Sequence, residues 1–279
     1  MPTPACGWET ELMTTMTPWP YPRWLAHRGA GQLAPENTLV AFRLGASLGF
    51  RAFECDVKLS ADGLPFLLHD DTLERTSNGS GIASDLPWAE LSQLDAGSWH
   101  SRTFAGEALP TLQAVAAFVL RNGFALNIEL KPTPGAEGQT GQIVAALAAR
   151  LWAGQDLPPL LSSFSPEALA AAQASAPALP RALLLDTLWS GWFDCASALR
   201  CVAVVTHHRL MDAALRDRLQ AAGWRALVYT VNEPADAERL LALGIAGLIT
   251  DKLTVFAPAA AGVIAWPRGQ LAEPSDQDR

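Results

Sequence analysis

Short apolar runs alternate with amphipathic stretches almost from end to end of this chain, and that alternation limits its fold more than any other feature. The runs at positions 24–27, 50–57, 65–69, 124–131, 160–164, 181–185, 202–206, 226–231 and 247–250 are short and bounded by turn residues, which reads as strands. Segments 38–49, 112–122, 141–152, 166–175, 190–199, 211–222 and 235–243 carry the helical period between them. Asn37 stands where it can cap the first helix, Ser165-Pro166 places proline at a first helical position, and Asn232-Glu233-Pro234 does similar work for the last. Gly49, Gly223 and Gly244 fall where helices terminate. A helical crossover brings the next strand back parallel to its predecessor, so repeated units of this kind build a parallel sheet. Their number predicts an α/β fold of the closed (β/α)₈ TIM-barrel type; an open dinucleotide-binding sheet would show a Gly-rich turn after the first strand, and none is present. Nine strand-like runs are one too many. Asp62-Gly63 joins two of them by a turn too short for a helix, so one of that pair is irregular or lies outside the barrel order.

The rhythm breaks over 71–110, rich in Ser, Gly, Asp and Trp with one short helix expected at 87–94. It reads as a small insertion after the third strand, lying over the barrel mouth. The expected organisation is an N-terminal extension at 1–23, a barrel domain at 24–258 containing the insertion, and a polar tail at 259–279. With 49% hydrophobic residues in 279, one large core is within reach. A formal charge of −8 without a basic run excludes a nucleic-acid footprint and gives little pull toward anionic membranes. No apolar run reaches transmembrane length, so no stable membrane anchor is expected, and the first residues lack a signal-peptide pattern. Cys6, Cys55, Cys195 and Cys201 have no metal-ligand spacing and suit free thiols, which together with the missing export signal predicts a cytoplasmic protein.

Chemistry concentrates on the strand ends. In Glu54-Cys55-Asp56 two acids one residue apart share a strand face, while Cys55 and Val57 point to the opposite side. Like charges so close need a proton or a cation between them, and a hard divalent ion such as Mg²⁺ or Ca²⁺ suits oxygen ligands. Asn127, Glu129 and Lys131 share a face of another strand. His27 and Arg28, Glu54 and Asp56, His69, and Glu129 and Lys131 then all fall at C-terminal strand ends, where barrel enzymes keep their active sites. Ser163-Phe164, Asn232 and Thr250-Asp251 occupy the same position on later strands. His100 reads as an exposed loop histidine, and His207-His208 as rim residues with no carboxylate partner. Trp88, Trp99 and Phe104 either line the mouth or pack within the insertion.

These segments resemble the glycerophosphodiester phosphodiesterases, a family of metal-dependent TIM-barrel enzymes. The matching stretches are His27-Arg28-Gly29, Pro35-Glu36-Asn37-Thr38, Glu54-Cys55-Asp56-Val57, Asp62-Gly63, His69-Asp70, Asn127 to Lys131, Ser163-Phe164, Thr230-Val231-Asn232 and Thr250-Asp251, in family order. The resemblance implies that Glu54, Asp56 and Glu129 bind one divalent metal ion, Mg²⁺, Ca²⁺ or Mn²⁺. It implies that His27 and His69 are an acid–base pair and that Arg28 and Lys131 contact the phosphodiester. Glu36 is placed as a second-tier ligand, and Pro35 with Asn37 stands equally as a helix start. Tyr229 takes a position where the family commonly has Trp, and Lys252-Leu253-Thr254 replaces a proline-containing continuation. The implied reaction is hydrolysis of small-molecule glycerophosphodiesters, the deacylated phospholipids, to sn-glycerol 3-phosphate and an alcohol. The alternative is a phospholipase D-like or cyclising phosphodiesterase acting on lysophospholipids, which predicts an apolar groove and membrane affinity.

Overall fold

The computed structural model describes residues 19–258, so the expected tail at 259–279 and most of the extension at 1–23 lie outside the described residues. Among the described residues there are nine strands: β1 (Trp24–Ala26), β2 (Ala52–Leu59), β3 (Pro65–Leu67), β4 (Ala125–Leu130), β5 (Leu160–Ser163), β6 (Arg181–Leu185), β7 (Ala203–His207), β8 (Arg225–Tyr229) and β9 (Gly247–Thr250). The helices are α1 (Leu39–Ser47), α2 (Trp88–Leu91), α3 (Leu112–Asn122), α4 (Glu137–Leu151), α5 (Pro166–Ser175), α6 (Trp192–Ala198), α7 (Ala213–Ala221) and α8 (Pro234–Ala242). Eight strands run parallel in the order β1-β9-β8-β7-β6-β5-β4-β2, and Ala26 opposite Phe53 joins β1 to β2 and closes the ring. The fold is a TIM barrel.

The surplus strand is β3. It pairs antiparallel with the end of β2, Val57 opposite Leu67 and Leu59 opposite Pro65, and so hangs from the barrel instead of entering its order. His69 therefore reaches the mouth on a chain descending from above, rather than from the C-terminal end of a parallel strand as its sequence position suggests. Segment 71–110 follows β3, the third strand of the chain as expected, and so lies between the barrel strands β2 and β4. It has its own apolar centre, Phe66, Leu68, Leu73, Ala83, Leu91, Ala96 and Leu109, with Trp88 packed on Phe66 at 6.0 Å between ring centroids.

Period-two alternation sorts the barrel residues. Leu25, Ala52, Ala125, Leu160, Ala182, Leu184, Ala203, Val205, Leu227 and Ile249 make one inner cluster, against which Trp19 and Tyr21 pack. The alanines leave room for these two rings, and the Tyr21 hydroxyl donates to the Pro158 carbonyl at 3.0 Å. Phe53, Cys55, Val57, Leu126, Ile128 and Leu130 belong instead to the outer cluster beneath the helices, with Phe42, Val115, Val119 and Val144. Thr38, not Asn37, caps α1, accepting from the Ala41 amide at 3.4 Å. Ser165 caps α5 with Pro166 in its first turn, and Pro234 opens α8 in the same way, with Glu233 at the cap position and no side-chain cap hydrogen bond. Gly31, at φ +56, lets the first loop lie against the last: a Cβ there would sit 2.3 Å from the Asp251 carbonyl oxygen. Among the described residues, no helix is long and apolar enough to cross a membrane.

Candidate active site

The inner face of β2 reads Ala52, Glu54, Asp56, and that of β4 reads Ala125, Asn127, Glu129, apolar at one end and acidic at the other. Register sets Glu54 beside Asn127 and Asp56 beside Glu129. One carboxylate oxygen from each of Glu54, Asp56 and Glu129 lies within 4.8 Å of the others, in side chains that are nearly all buried. Burial and the Asp56 charge push Glu54 and Glu129 above the usual carboxylate range. Burial would raise Asp56 too, but the Arg28 and Lys131 charges hold it low. The Glu54 Oε1 atom is buried without a hydrogen-bond partner. An all-oxygen donor set with an orphaned carboxylate oxygen fits a hard divalent cation.

Two non-glycine residues frame this cluster in left-handed backbone conformation, Arg28 at φ 50 and Asn37 at φ 57. Strain of this kind persists only where the surroundings hold it. The Arg28 amide donates to Glu54 Oε2 at 3.0 Å, and its Nε lies 3.2 Å from Asp56 Oδ2. Asn37 Nδ2 donates to Asp56 Oδ2 at 2.8 Å while its Oδ1 accepts from the Asp56 amide at 3.2 Å. The Asn37 side chain is committed to the site, which is why the neighbouring threonine caps the helix.

His27 and His69 are each tied through Nδ1 to a carboxylate. His27 Nδ1 lies 2.6 Å from Asp251 Oδ1, and Asp251 is in turn gripped by Asn232, whose Nδ2 donates to Oδ2 and whose Oδ1 accepts from the amide, both at 2.9 Å. His69 Nδ1 lies 2.7 Å from Asp70 Oδ1. Both Nε2 atoms face inward: that of His27 is 3.8 Å from Glu54 Oε2, and that of His69 is 3.0 Å from Lys131 Nζ. Burial would lower the His27 pKa, but the Asp251 hydrogen bond and the Glu54 charge raise it on balance. Burial lowers that of His69, and the Arg28 and Lys131 charges add to it against the pull of Asp56 and the Asp70 hydrogen bond. Lys131 Nζ also bonds Glu129 Oε1 at 3.0 Å.

Two cavities open here. One of about 340 Å³ is lined by His27, Arg28, Glu54, Leu184 and Tyr229, and one of about 440 Å³ by Lys58, Asp70, Asp71, Pro132 and Ser165. His69, Glu129, Lys131 and Phe164 line both and form their common wall, with His27, Arg28 and Glu54 on the side of the smaller cavity. Phe164 meets Tyr229 edge-on at 5.8 Å.

Other expected residues differ. Ser163 lines the larger cavity, but its hydroxyl is turned to the backbone, donating to the Leu130 carbonyl at 2.7 Å. Glu36 is not in the carboxylate cluster; Arg28 at 2.7 Å and Arg75 at 2.8 Å hold it, so it serves as a counter-charge rather than a second-tier ligand. His208 does have a carboxylate neighbour, Asp236, at 3.4 Å. His100 is half-buried between Trp99 and Phe104, with Nε2 3.1 Å from the Gln32 carbonyl. Asp70 and Asp251 were visible as the acids of their motifs, though not as histidine partners. Arg75 carried no signal.

The model of the glycerophosphoryl diester phosphodiesterase family matches residues 27–255. A glycerophosphodiester phosphodiesterase of Caldanaerobacter subterraneus subsp. tengcongensis is 33% identical over 234 residues, covering 81% of this chain and 93% of that one. Among solved structures, an Oleispira antarctica phosphodiesterase in complex with the product sn-glycerol-3-phosphate superposes with a TM-score of 0.78 at 36% identity, covering 84% of this chain and 96% of that one. The glycerophosphodiester phosphodiesterase of Agrobacterium tumefaciens gives 0.72 at 29% identity, covering 84% and 98%.

Proposed function

This chain belongs to the glycerophosphoryl diester phosphodiesterase family and is an enzyme of that class, and we propose that it hydrolyses glycerophosphodiesters to sn-glycerol 3-phosphate and an alcohol with two-histidine acid–base catalysis assisted by one metal ion. The observation that carries the mechanism is the pair of imidazoles, each fixed by a carboxylate at Nδ1, with His27 Nε2 3.8 Å from Glu54 of the buried acidic trio and His69 Nε2 3.0 Å from the Lys131 ammonium that bonds Glu129. Glu54, Asp56 and Glu129 would hold the cation, Mg²⁺, Ca²⁺ or Mn²⁺, which when bound supplies positive charge against the phosphate oxygens.

The chain's own groups do the rest. Arg28 and Lys131 offer N–H donors and charge to the non-bridging oxygens as negative charge builds on phosphorus. One histidine Nε2 removes a proton from the attacking oxygen as its bond to phosphorus forms. The other gives a proton to the leaving alkoxide as the second ester bond breaks. Asp251 and Asp70 fix the tautomer with the proton on Nδ1 and stabilise each imidazolium. The common wall between the cavities suits a diester, whose phosphate sits at the wall with one alcohol on each side. A cytoplasmic setting belongs to the same proposal, in keeping with the free thiols Cys55, Cys195 and Cys201.

Phe164, Leu188 and Trp189 are exposed after β5 and β6, which favours a second reading in which a lysophospholipid lays its acyl chain along the rim. Phosphorus NMR of products from glycerophosphocholine and lysophosphatidylcholine tests both. Glycerol 3-phosphate from the first substrate supports the main reading, and faster turnover of the second to lysophosphatidic acid or a cyclic phosphate replaces it with the alternative. Release of phosphocholine, or turnover of neither, overturns both.

A further inference from the structure

Arg75 stands five residues past Asp70, on the stretch that β3 delivers to the mouth. Its guanidinium makes four hydrogen bonds to two carboxylates. Nε donates to Asp70 Oδ2 at 2.6 Å and Nη2 to Asp70 Oδ1 at 2.9 Å, while Nη1 and Nη2 donate to Glu36 Oε2 and Oε1, both at 2.8 Å. Each carboxylate then reaches a different member of the site. Asp70 Oδ1 is 2.7 Å from His69 Nδ1, and Glu36 Oε1 is 2.7 Å from Arg28 Nη1. One guanidinium thus joins the histidine arm to the arginine arm. Resting on the reaction proposed above, we infer that Arg75 is a positioning residue, which locks Asp70 and Glu36 together so that His69 presents Nε2 and Arg28 faces the phosphate.

A lone surface ion pair would do little of this, because exposed pairs contribute little and hold no geometry. Here the fork is engaged twice, each carboxylate held through two N–H donors, which Lys, a point charge on a flexible stem, cannot reproduce. Arg75 is 44% exposed, but its partners are shielded, Glu36 at 14% and Asp70 at 28%. Without Arg75 the Glu36 carboxylate has Arg28 as its remaining cation, and Asp70 has His69. Glu36 would then follow Arg28 and compete with the phosphate for it, and Asp70 would be free to turn away from His69. The placement also gives the hairpin a purpose: β3 brings down His69 and the group that orients it on one segment.

The test is Arg75→Met and Arg75→Lys, alone and in an Asp70→Asn/Glu36→Gln background, assayed on glycerophosphocholine with saturating divalent cation. Arg75→Met is expected to lower kcat about 10–100-fold and to raise KM, the usual range for groups acting through a first-contact residue. Arg75→Lys is expected to recover only part of the loss. In the double-variant background either change should cost no further activity, since the residues it acts through are gone. The His69 imidazole signals of metal-free protein provide a readout independent of turnover: Arg75→Met should abolish the slowly exchanging Nδ1–H resonance while the melting temperature stays close to that of the parent. Unchanged kinetics and an unchanged His69 resonance in either folded variant overturn the inference, as does a full, additive loss in the double-variant background. An altered resonance in a protein that shows no turnover even before substitution would sustain the positioning role and overturn the phosphodiesterase reading alone.

Discussion

Stripping divalent cations from this protein and adding them back is expected to move its melting temperature, and Glu54→Gln is expected to abolish that response while stabilising the stripped form. The oxygens of Glu54, Asp56 and Glu129 lie within 4.8 Å of one another. At an effective dielectric of about 20, two ionised groups at that separation repel by about 3.5 kcal/mol. Arg28 and Lys131 neutralise Asp56, but Glu54 Oε1 has no hydrogen-bond partner among the described residues. Glu54, pushed up to about 8 by burial first and the Asp56 charge second, escapes part of the repulsion at neutral pH by keeping its proton. Its folded-state pKa lies above the unfolded one, so its ionisation destabilises the fold progressively from about pH 4.5 and fully above about pH 8. Gln keeps the size and the acceptor for the Arg28 amide without the charge. A gain of about 1–2 kcal/mol at pH 8 corresponds to a rise of about 3–6 °C for a barrel of this size. For the parent, a cation at a hundred times its dissociation constant contributes about 2.7 kcal/mol, or about 5–10 °C. Scanning fluorimetry on the ten tryptophans reads both. An equal cation-induced rise in parent and Glu54→Gln, or a less stable stripped variant, would refute the reasoning.

Three other expectations follow from the same geometry. His27→Ala or His69→Ala, purified and folded, should lose about 10²–10⁴ in kcat, the ordinary worth of an acid–base group, and near-normal turnover in either would remove it from the mechanism. Because Glu54 and Glu129 are pushed up to about 8 and about 7, the stripped site holds protons at neutral pH that a cation must displace. Affinity should therefore rise from about pH 6 to about pH 9 with proton release, measured by calorimetry in buffers of different ionisation enthalpy; a flat profile would contradict the cluster. Gly31→Ala forces a Cβ to 2.3 Å from the Asp251 carbonyl at φ +56, whereas Gly123→Ala, at φ +64, meets nothing within 4 Å. The first should cost about 1–3 kcal/mol more than the second and also lower kcat by displacing the partner of His27, while equal effects would mean that loop contact is immaterial.

The parts of the molecule visible from sequence are those written in short-range patterns. Period-two alternation put Glu54 and Asp56 on one face and Cys55 on the other, and the barrel rule then placed the acidic ends at the mouth. The turn at Asp62-Gly63 flagged the odd strand, although only pairing shows that β3 is that strand and that it runs antiparallel on β2. Residues whose role depends on distant partners were not readable. Asn37 has the composition of a helix cap, and its use by Asp56, nineteen positions away, is a tertiary fact that overrides local preference. Glu36 looks like one more acid among ligands until Arg75, thirty-nine positions on, closes over it. His208 finds Asp236 only because the turn after β7 meets the first turns of α8.

The proposed mechanism sets two carboxylate-held histidines on a phosphodiester beside a cation held by Glu54, Asp56 and Glu129. Its most direct measurement is the rate of sn-glycerol 3-phosphate release from glycerophosphocholine by exhaustively chelated protein, before and after titration with Mg²⁺, Ca²⁺ or Mn²⁺, in the parent and in Glu54→Gln. Release that is lost on chelation, returns with about one equivalent of cation in the parent and fails to return in the variant is the expected result. Release at the full rate from protein shown by elemental analysis to be metal-free would contradict it.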